Sequence, residues 1–159
     1  MRISGIFFVC IALLKLKETN YNYRMDDEYE ENFRNNSLLR DTVRAAAEAG
    51  DATSQCIMGE AYIYGLGVEE DHTEAIKWHK QAAEQGNAAA QFAIGYAYEF
   101  GHGVDKNLVE AAKWYQLGAD QRNADSLYSL GKFYDLGKGV EMDKAKAKQL
   151  YSLAIIAQS

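Results

Sequence analysis

Two periods are superimposed along this chain. Within short segments, positions suited to one buried face recur every three or four residues: Gln55, Met58, Gly59 and Tyr62 fall at i, i+3, i+4 and i+7. The same stripe returns 36 residues later, and again after that, placing Gly59, Gly95 and Gly131 in equivalent positions. Ala52/Ala88/Ala124, Tyr62/Tyr98/Tyr134, Gly65/Gly101/Gly137, Gly67/Gly103/Gly139, Val68/Val104/Val140 and Ala75/Ala111/Ala147 hold the same register. A repeat at this spacing predicts an array of stacked supersecondary units rather than one irregular core.

Each copy divides into two helices. The first, helix A, is expected after Asp51, Asn87 or Asn123, whose side-chain oxygens suit an N-cap, and ends at Tyr64, Phe100 or Leu136. A Gly-x-Gly-Val turn follows. Helix B starts after Asp71, Asn107 or Asp143, and Glu74 and Glu110 lie where a capping box would place them; Lys146 occupies that position in the third copy. A glycine inside helix A costs about 1 kcal/mol relative to alanine, so its threefold use predicts a close helix–helix contact. Ala75, Trp78 and Ala82 are the expected matching face in the first copy, with Ala111, Trp114 and Gly118 in the second. The indoles would fill the space between successive pairs.

Upstream, Leu38–Gly50 reads as the second helix of a degenerate earlier unit, with Tyr23 where its partner's contact glycine should stand. The resulting organisation is an N-terminal segment and acidic linker (1–36), a half-unit (37–50) and repeats at 51–86, 87–122 and 123–159. The acidic run Asp26–Glu31 reads as a solvated helix start or linker. Two isolated helices cannot bury their apolar faces, so stacking makes the core.

The pattern A-x-x-Q-x-x-[LIM]-G-x-x-Y-x-x-G-x-G-V, followed by A-x-x-W-[HY]-x-x-A-A, resembles the Sel1-like repeats, relatives of the tetratricopeptide repeats. The third copy departs from it, with Leu127 for the glutamine and Leu150 for the tryptophan. The resemblance implies an all-α, right-handed α/α superhelix whose A helices line a concave face. It also implies an adaptor that holds a protein or peptide. On that orientation the inner surface would comprise Cys56, Glu60, Ile63 and Tyr64, then Phe92, Tyr96, Glu99 and Phe100, then Tyr128, Lys132 and Asp135. These positions vary between copies while the packing positions do not, as a surface shaped for a partner would.

Composition narrows the classes further. The net charge of −6 argues against a nucleic-acid partner, which calls for a basic face. The absence of proline suits uninterrupted helices. Two cysteines, Cys10 and Cys56, make neither a disulfide framework nor a zinc spacing, and no metal or other cofactor is expected. Cysteine-rich bacterial relatives of the repeat family have been linked to binding or cleaving β-lactams, but they carry a cysteine pair in each repeat, which this chain lacks.

No catalytic group emerges from the pattern. Each Gly-x-Gly joins two helices, without the preceding strand and third glycine of a dinucleotide loop. His72, His79 and His102 fall in different structural roles and read as surface or packing residues. Asp125 and Ser126 are neighbours on a helix and form no nucleophile–base pair. The expected function is therefore non-catalytic capture of a protein or peptide. A hydrolase-type enzyme and a structural module that self-associates through apolar ends are the alternatives. For the latter, Ile155 and Ile156 stand where the earlier copies have Ala83–Glu84 and Ala119–Asp120.

Ile6–Leu14 is a nine-residue apolar run after Arg2, too short for a membrane-spanning helix and followed at once by Lys15 and Lys17. Three readings stay open: an atypical export signal, an apolar helix over the open end of the solenoid, or a true start at Met25. The chain would be cytoplasmic, or secreted or periplasmic if residues 1–20 act as a signal peptide.

Overall fold

The computed structural model describes residues 27–158; Ile6–Leu14, Cys10, Tyr23 and Met25 lie outside the described residues. Eight α-helices and no strands occur among the described residues. They are α1 (Asp27–Asn35), α2 (Ser37–Glu48), α3 (Ala52–Tyr64), α4 (His72–Glu84), α5 (Ala88–Phe100), α6 (Leu108–Asp120), α7 (Ala124–Leu136) and α8 (Lys144–Ala157). Each helix packs on its neighbours in chain order, as in a helical-repeat solenoid.

Helix boundaries follow from local chemistry. Side-chain oxygens of Asp51, Asn87 and Asn123 accept from the backbone amides of Ser54, Ala90 and Ser126 at 2.7, 2.9 and 2.8 Å. At the other end, Gly65, Gly101 and Gly137 take left-handed conformations that close α3, α5 and α7. Asp71, Asn107 and Asp143 cap the B helices. Their own amides donate to the carbonyls of Tyr62, Tyr98 and Tyr134 at 3.0, 2.8 and 2.9 Å, tying each turn back to its A helix.

That backbone bond corrects the expected capping box. With the cap amide already engaged, the Glu74 carboxylate turns to Lys77 at 2.6 Å and Glu110 to Lys113 at 2.5 Å. In the third unit Lys146 lies over the Tyr134 ring, 4.1 Å from its centroid, and donates to its hydroxyl.

The contact glycines meet a different residue from the one expected. A Cβ added to Gly59 would fall 2.6 Å from the His79 ring, one on Gly95 2.6 Å from Tyr115, and one on Gly131 2.8 Å from Tyr151. The ring following the tryptophan position therefore lies against each glycine. The indoles do the other job: Trp78 packs on the cluster around Phe33, Val43 and Ile57, and Trp114 on that around Cys56, Ala82 and Ile94.

Glutamines join successive units. Gln55 donates to the Ala47 carbonyl at 3.1 Å and Gln91 to that of Ala83 at 3.2 Å, so each satisfies a carbonyl of the preceding B helix. Gln85 and Gln121 donate back to their side-chain oxygens, both at 2.7 Å. The third unit replaces this polar clasp with buried Leu127.

The acidic run leads into a helix, α1. Phe33 of α1 is fully buried with Leu39, Val43 and Ala47 of α2 and with Ile57 and Leu66. Arg40 closes the end of α1 by donating to the carbonyls of Phe33 and Arg34.

Candidate functional site

A concavity of about 610 Å³ opens over α5 and draws walls from its neighbours. Helix α3 contributes Glu60, Ile63 and Tyr64; α5 contributes Phe92 and Tyr96; small residues Ala75, Ala89, Ala93 and Ala97 leave the space open. His72 opens α4, His102 sits in the second Gly-x-Gly turn, and Asn123 and Asp125 come from the start of α7.

The rings at one end form a continuous cluster, with Tyr96, Phe100 and His102 exposed and Phe92 and His72 half-buried. Tyr96 and Phe100 lie in contact with centroids 4.5 Å apart and rings tilted by 42°, and His102 lies 5.7 Å from Tyr96 and 5.9 Å from Phe100. Phe92 continues the row at 6.3 Å from Tyr96, and His72 extends it at 5.5 Å from His102. Tyr64, Tyr96 and Phe100 are 54%, 43% and 50% exposed, unusual for aromatic side chains with neighbours to pack against. This row exists because the turn reaches backward: a Cβ on Gly103 would collide with the backbone of His72 and Thr73. The close approach puts His102 beside His72 across two units.

The nine expected groove residues do not act as one surface. Glu60, Tyr64, Phe92 and Tyr96 line the cavity, and Phe100 extends its aromatic row. Glu99 is instead buried, accepting from the Tyr115 hydroxyl at 2.8 Å with Lys138 at 3.9 Å. Its helical position points it toward α6. Tyr128, Lys132 and Asp135 form a separate patch on α7, with Lys132 5.9 Å from the Tyr128 centroid and Asp135 accepting from Lys144 at 2.8 Å.

Cys56, expected at the inner surface, is buried with Ala82, Ala83, Ala90 and Ile94 between units. Burial, and secondarily the Glu60 carboxylate, pushes its thiol well above the ordinary range, which removes it as a neutral-pH nucleophile. His79 is buried too. Its Nε2 stands 3.7 Å from a Glu60 oxygen, beyond hydrogen-bonding reach, and burial lowers its pKa to about 4. The imidazole is thus a neutral packing element, and both its nitrogens lack a hydrogen bond among the described residues.

The sequence reading missed His72, His102, Asn123 and Asp125 as site residues. Their common signal is turn or cap position, which carries no chemistry until the units stack. Among the described residues, no three His, Cys, Asp or Glu side chains gather as a metal site, and no helix is long and apolar enough to cross a membrane.

The stacked pairs and glycine turns define a helical-repeat protein. The Sel1 repeat model matches residues 52–87, 88–123 and 124–158, more than half of the chain, and the chain belongs to the Sel1 repeat family. Proteins of this family are generally protein-interaction modules, typically without catalytic activity.

Solved structures agree on the fold. A protective antigen present in uropathogenic Escherichia coli strains is similar at 35% identity and TM-score 0.71, over 76% of this chain and 27% of its own. A Sel1 repeat protein from Oxalobacter formigenes is similar at 35% identity and TM-score 0.70, over 75% of this chain and 47% of its own. Cysteine-rich protein B of Helicobacter pylori shares the fold at 21% identity and TM-score 0.59, over 76% of this chain and 91% of its own. The chain therefore spans about a quarter and about half of the first two proteins. No match was found among curated proteins.

Proposed function

We propose that this chain is a non-catalytic adaptor that holds a protein or peptide segment in the cavity over α5. The observation that carries the reading is the row of half-buried Phe92 and exposed Tyr96 and Phe100 beside a cavity of about 610 Å³. Rigid aromatic side chains around a concavity are the usual anchors of an interface, because they contribute large contact area with little loss of rotamer freedom. The helices behind them are fixed by glycine contacts and glutamine clasps, so the surface is preorganised.

Replacing Tyr96 and Phe100 together by alanine tests this. Capture of partners from a cell extract should fall at least tenfold while the helical signal and melting midpoint stay near those of the parent. Unchanged capture would move the binding surface away from α5.

A second reading rests on α8, where Ile155 and Ile156 are 70% and 61% exposed. It predicts a second copy or another protein on that face. Light scattering of the parent and of the Ile155→Lys, Ile156→Lys chain separates it: a monomeric parent removes self-association.

A further inference from the structure

The chain carries its own candidate for the α5 cavity, an inference that rests on the binding reading above. Ile6–Leu14 (IFFVCIALL) is apolar throughout and lies outside the described residues. Burial of such side chains away from water is strongly favourable. The cavity matches it in chemistry. Its lining combines small side chains, Ala75, Ala89, Ala93 and Ala97, with the aromatic rings of Tyr64 and Tyr96. At about 610 Å³ it has the size of cavities that enclose several bulky groups, as Phe7, Phe8 and Leu13 would supply.

The tether also reaches. Asp27 begins α1, whose Phe33 shares a buried cluster with Leu66, two residues beyond Tyr64 at the cavity wall. At 1.5 Å per helical residue and with side chains in contact, the start of α1 stands within about 30 Å of Tyr64. Residues 15–26 join Leu14 to Asp27 and span about 40 Å when extended. The N-terminal end of the stack offers less to cover. Along α1 and α2, Leu38 is the one large apolar side chain exposed among those described, whereas Tyr64, Tyr96 and Phe100 are all exposed at or beside the cavity.

We propose that Ile6–Leu14 docks in the cavity over α5 of its own chain, so that a partner segment must displace it. A tether of this length supplies an effective concentration on the order of 1 mM. A contact with a Kd of about 0.1–0.3 mM between separate molecules then keeps the cavity mostly filled. It lowers a partner's apparent affinity about four- to tenfold.

The whole chain, carrying benzoylphenylalanine at position 96, is purified and irradiated with no partner present. Mass mapping should find adducts to residues 6–14. In a mixture of isotope-labelled and unlabelled chains, each adduct should join fragments of one isotope. Phe7→Asp combined with Phe8→Asp should reduce these adducts at least fivefold while the helical signal is kept. Nile red, a neutral apolar dye, reads the vacated cavity. The doubly substituted chain should bind it about four- to tenfold more tightly than the parent, and adding Tyr96→Ala should remove that gain.

Adducts of mixed isotope would put a second copy in the cavity and overturn docking within the chain. No adduct to residues 6–14, with Tyr96-dependent dye binding equal in the parent and the doubly substituted chain, overturns the occupant and leaves the binding reading standing. No adduct, with dye binding indifferent to Tyr96→Ala in both chains, overturns both.

Discussion

The exposed faces of α5 and α7 start from the same template and end in different states. On α7, Lys132 lies near the Tyr128 ring and Asp135 accepts from Lys144. On α5 the rings lie tilted against one another and border a cavity. Repetition therefore fixes where a side chain stands without fixing what it contacts. On the proposed reading, the adaptor's function concentrates in the second unit and its borders.

The largest expected effect breaks the α5 face by breaking its support. Gly95→Val places new carbons against the Tyr115 ring, which is fully buried and hydrogen-bonded to Glu99, and should destabilise by about 3 kcal/mol or more. Gly131→Val meets Tyr151, which is only half-buried and can swing aside, so about 1–2 kcal/mol is expected there. Urea unfolding of the two chains checks the contrast; equal losses would mean that ring mobility does not decide the cost.

A comparable effect belongs to the first unit, where the ring is His79 rather than tyrosine. Its folded pKa of about 4 lies below the ordinary histidine value of about 6.5, so folding favours the neutral ring. The associated stability is intact above about pH 6.5 and lost as pH falls toward 4, by about 3 kcal/mol. In a His79→Phe chain this part of the pH dependence should vanish, seen as a shallower slope of unfolding free energy between pH 6.5 and 4. Identical slopes in the two chains would remove His79 from the acid response.

For binding, alanine at Tyr96 and Phe100 should abolish most capture, while alanine at Tyr128 and Lys132 should change it less than twofold, about 0.4 kcal/mol. The smallest effect concerns the joints between units. Gly50 and Gly86 end the earlier B-helix segments with φ of 98° and 90°, whereas Arg122 holds 61° with a side chain attached. Arg122→Gly should raise stability by up to about 1 kcal/mol, the strain of a non-glycine residue in the left-handed region, reduced by glycine's greater unfolded entropy. A lower melting midpoint would show that the arginine contributes a contact worth more than that strain.

Much of the fold was legible because caps and glycines are local signals. Asp51, Asn87 and Asn123 mark helix starts, and Gly65, Gly101 and Gly137 mark ends, without reference to anything distant. The ring against each contact glycine was harder. Trp78 and His79 are adjacent on a helix, about 100° apart in direction, and both alternatives place a large side chain near α3. The smaller ring fits against the glycine, and the larger indole reaches back to the preceding pair.

The candidate site was legible only in part, for the same reason. Tyr64, Phe92, Tyr96 and Phe100 could be placed by helical register together with the orientation that the family resemblance implies. The inward turn of Glu99 depends on the Tyr115 hydroxyl, and the meeting of His72 with His102 depends on how closely a turn approaches the previous B helix. Neither is written in one repeat. Both arise between elements that are far apart in sequence.

The central claim is that α5, and not α7, presents the binding surface. Site-specific photo-crosslinking tests it most directly, with benzoylphenylalanine introduced at position 96 in one chain and at position 128 in another. Partner adducts should form from position 96 and be absent from position 128. Adducts from position 128 alone would contradict the account and return the search to the third unit.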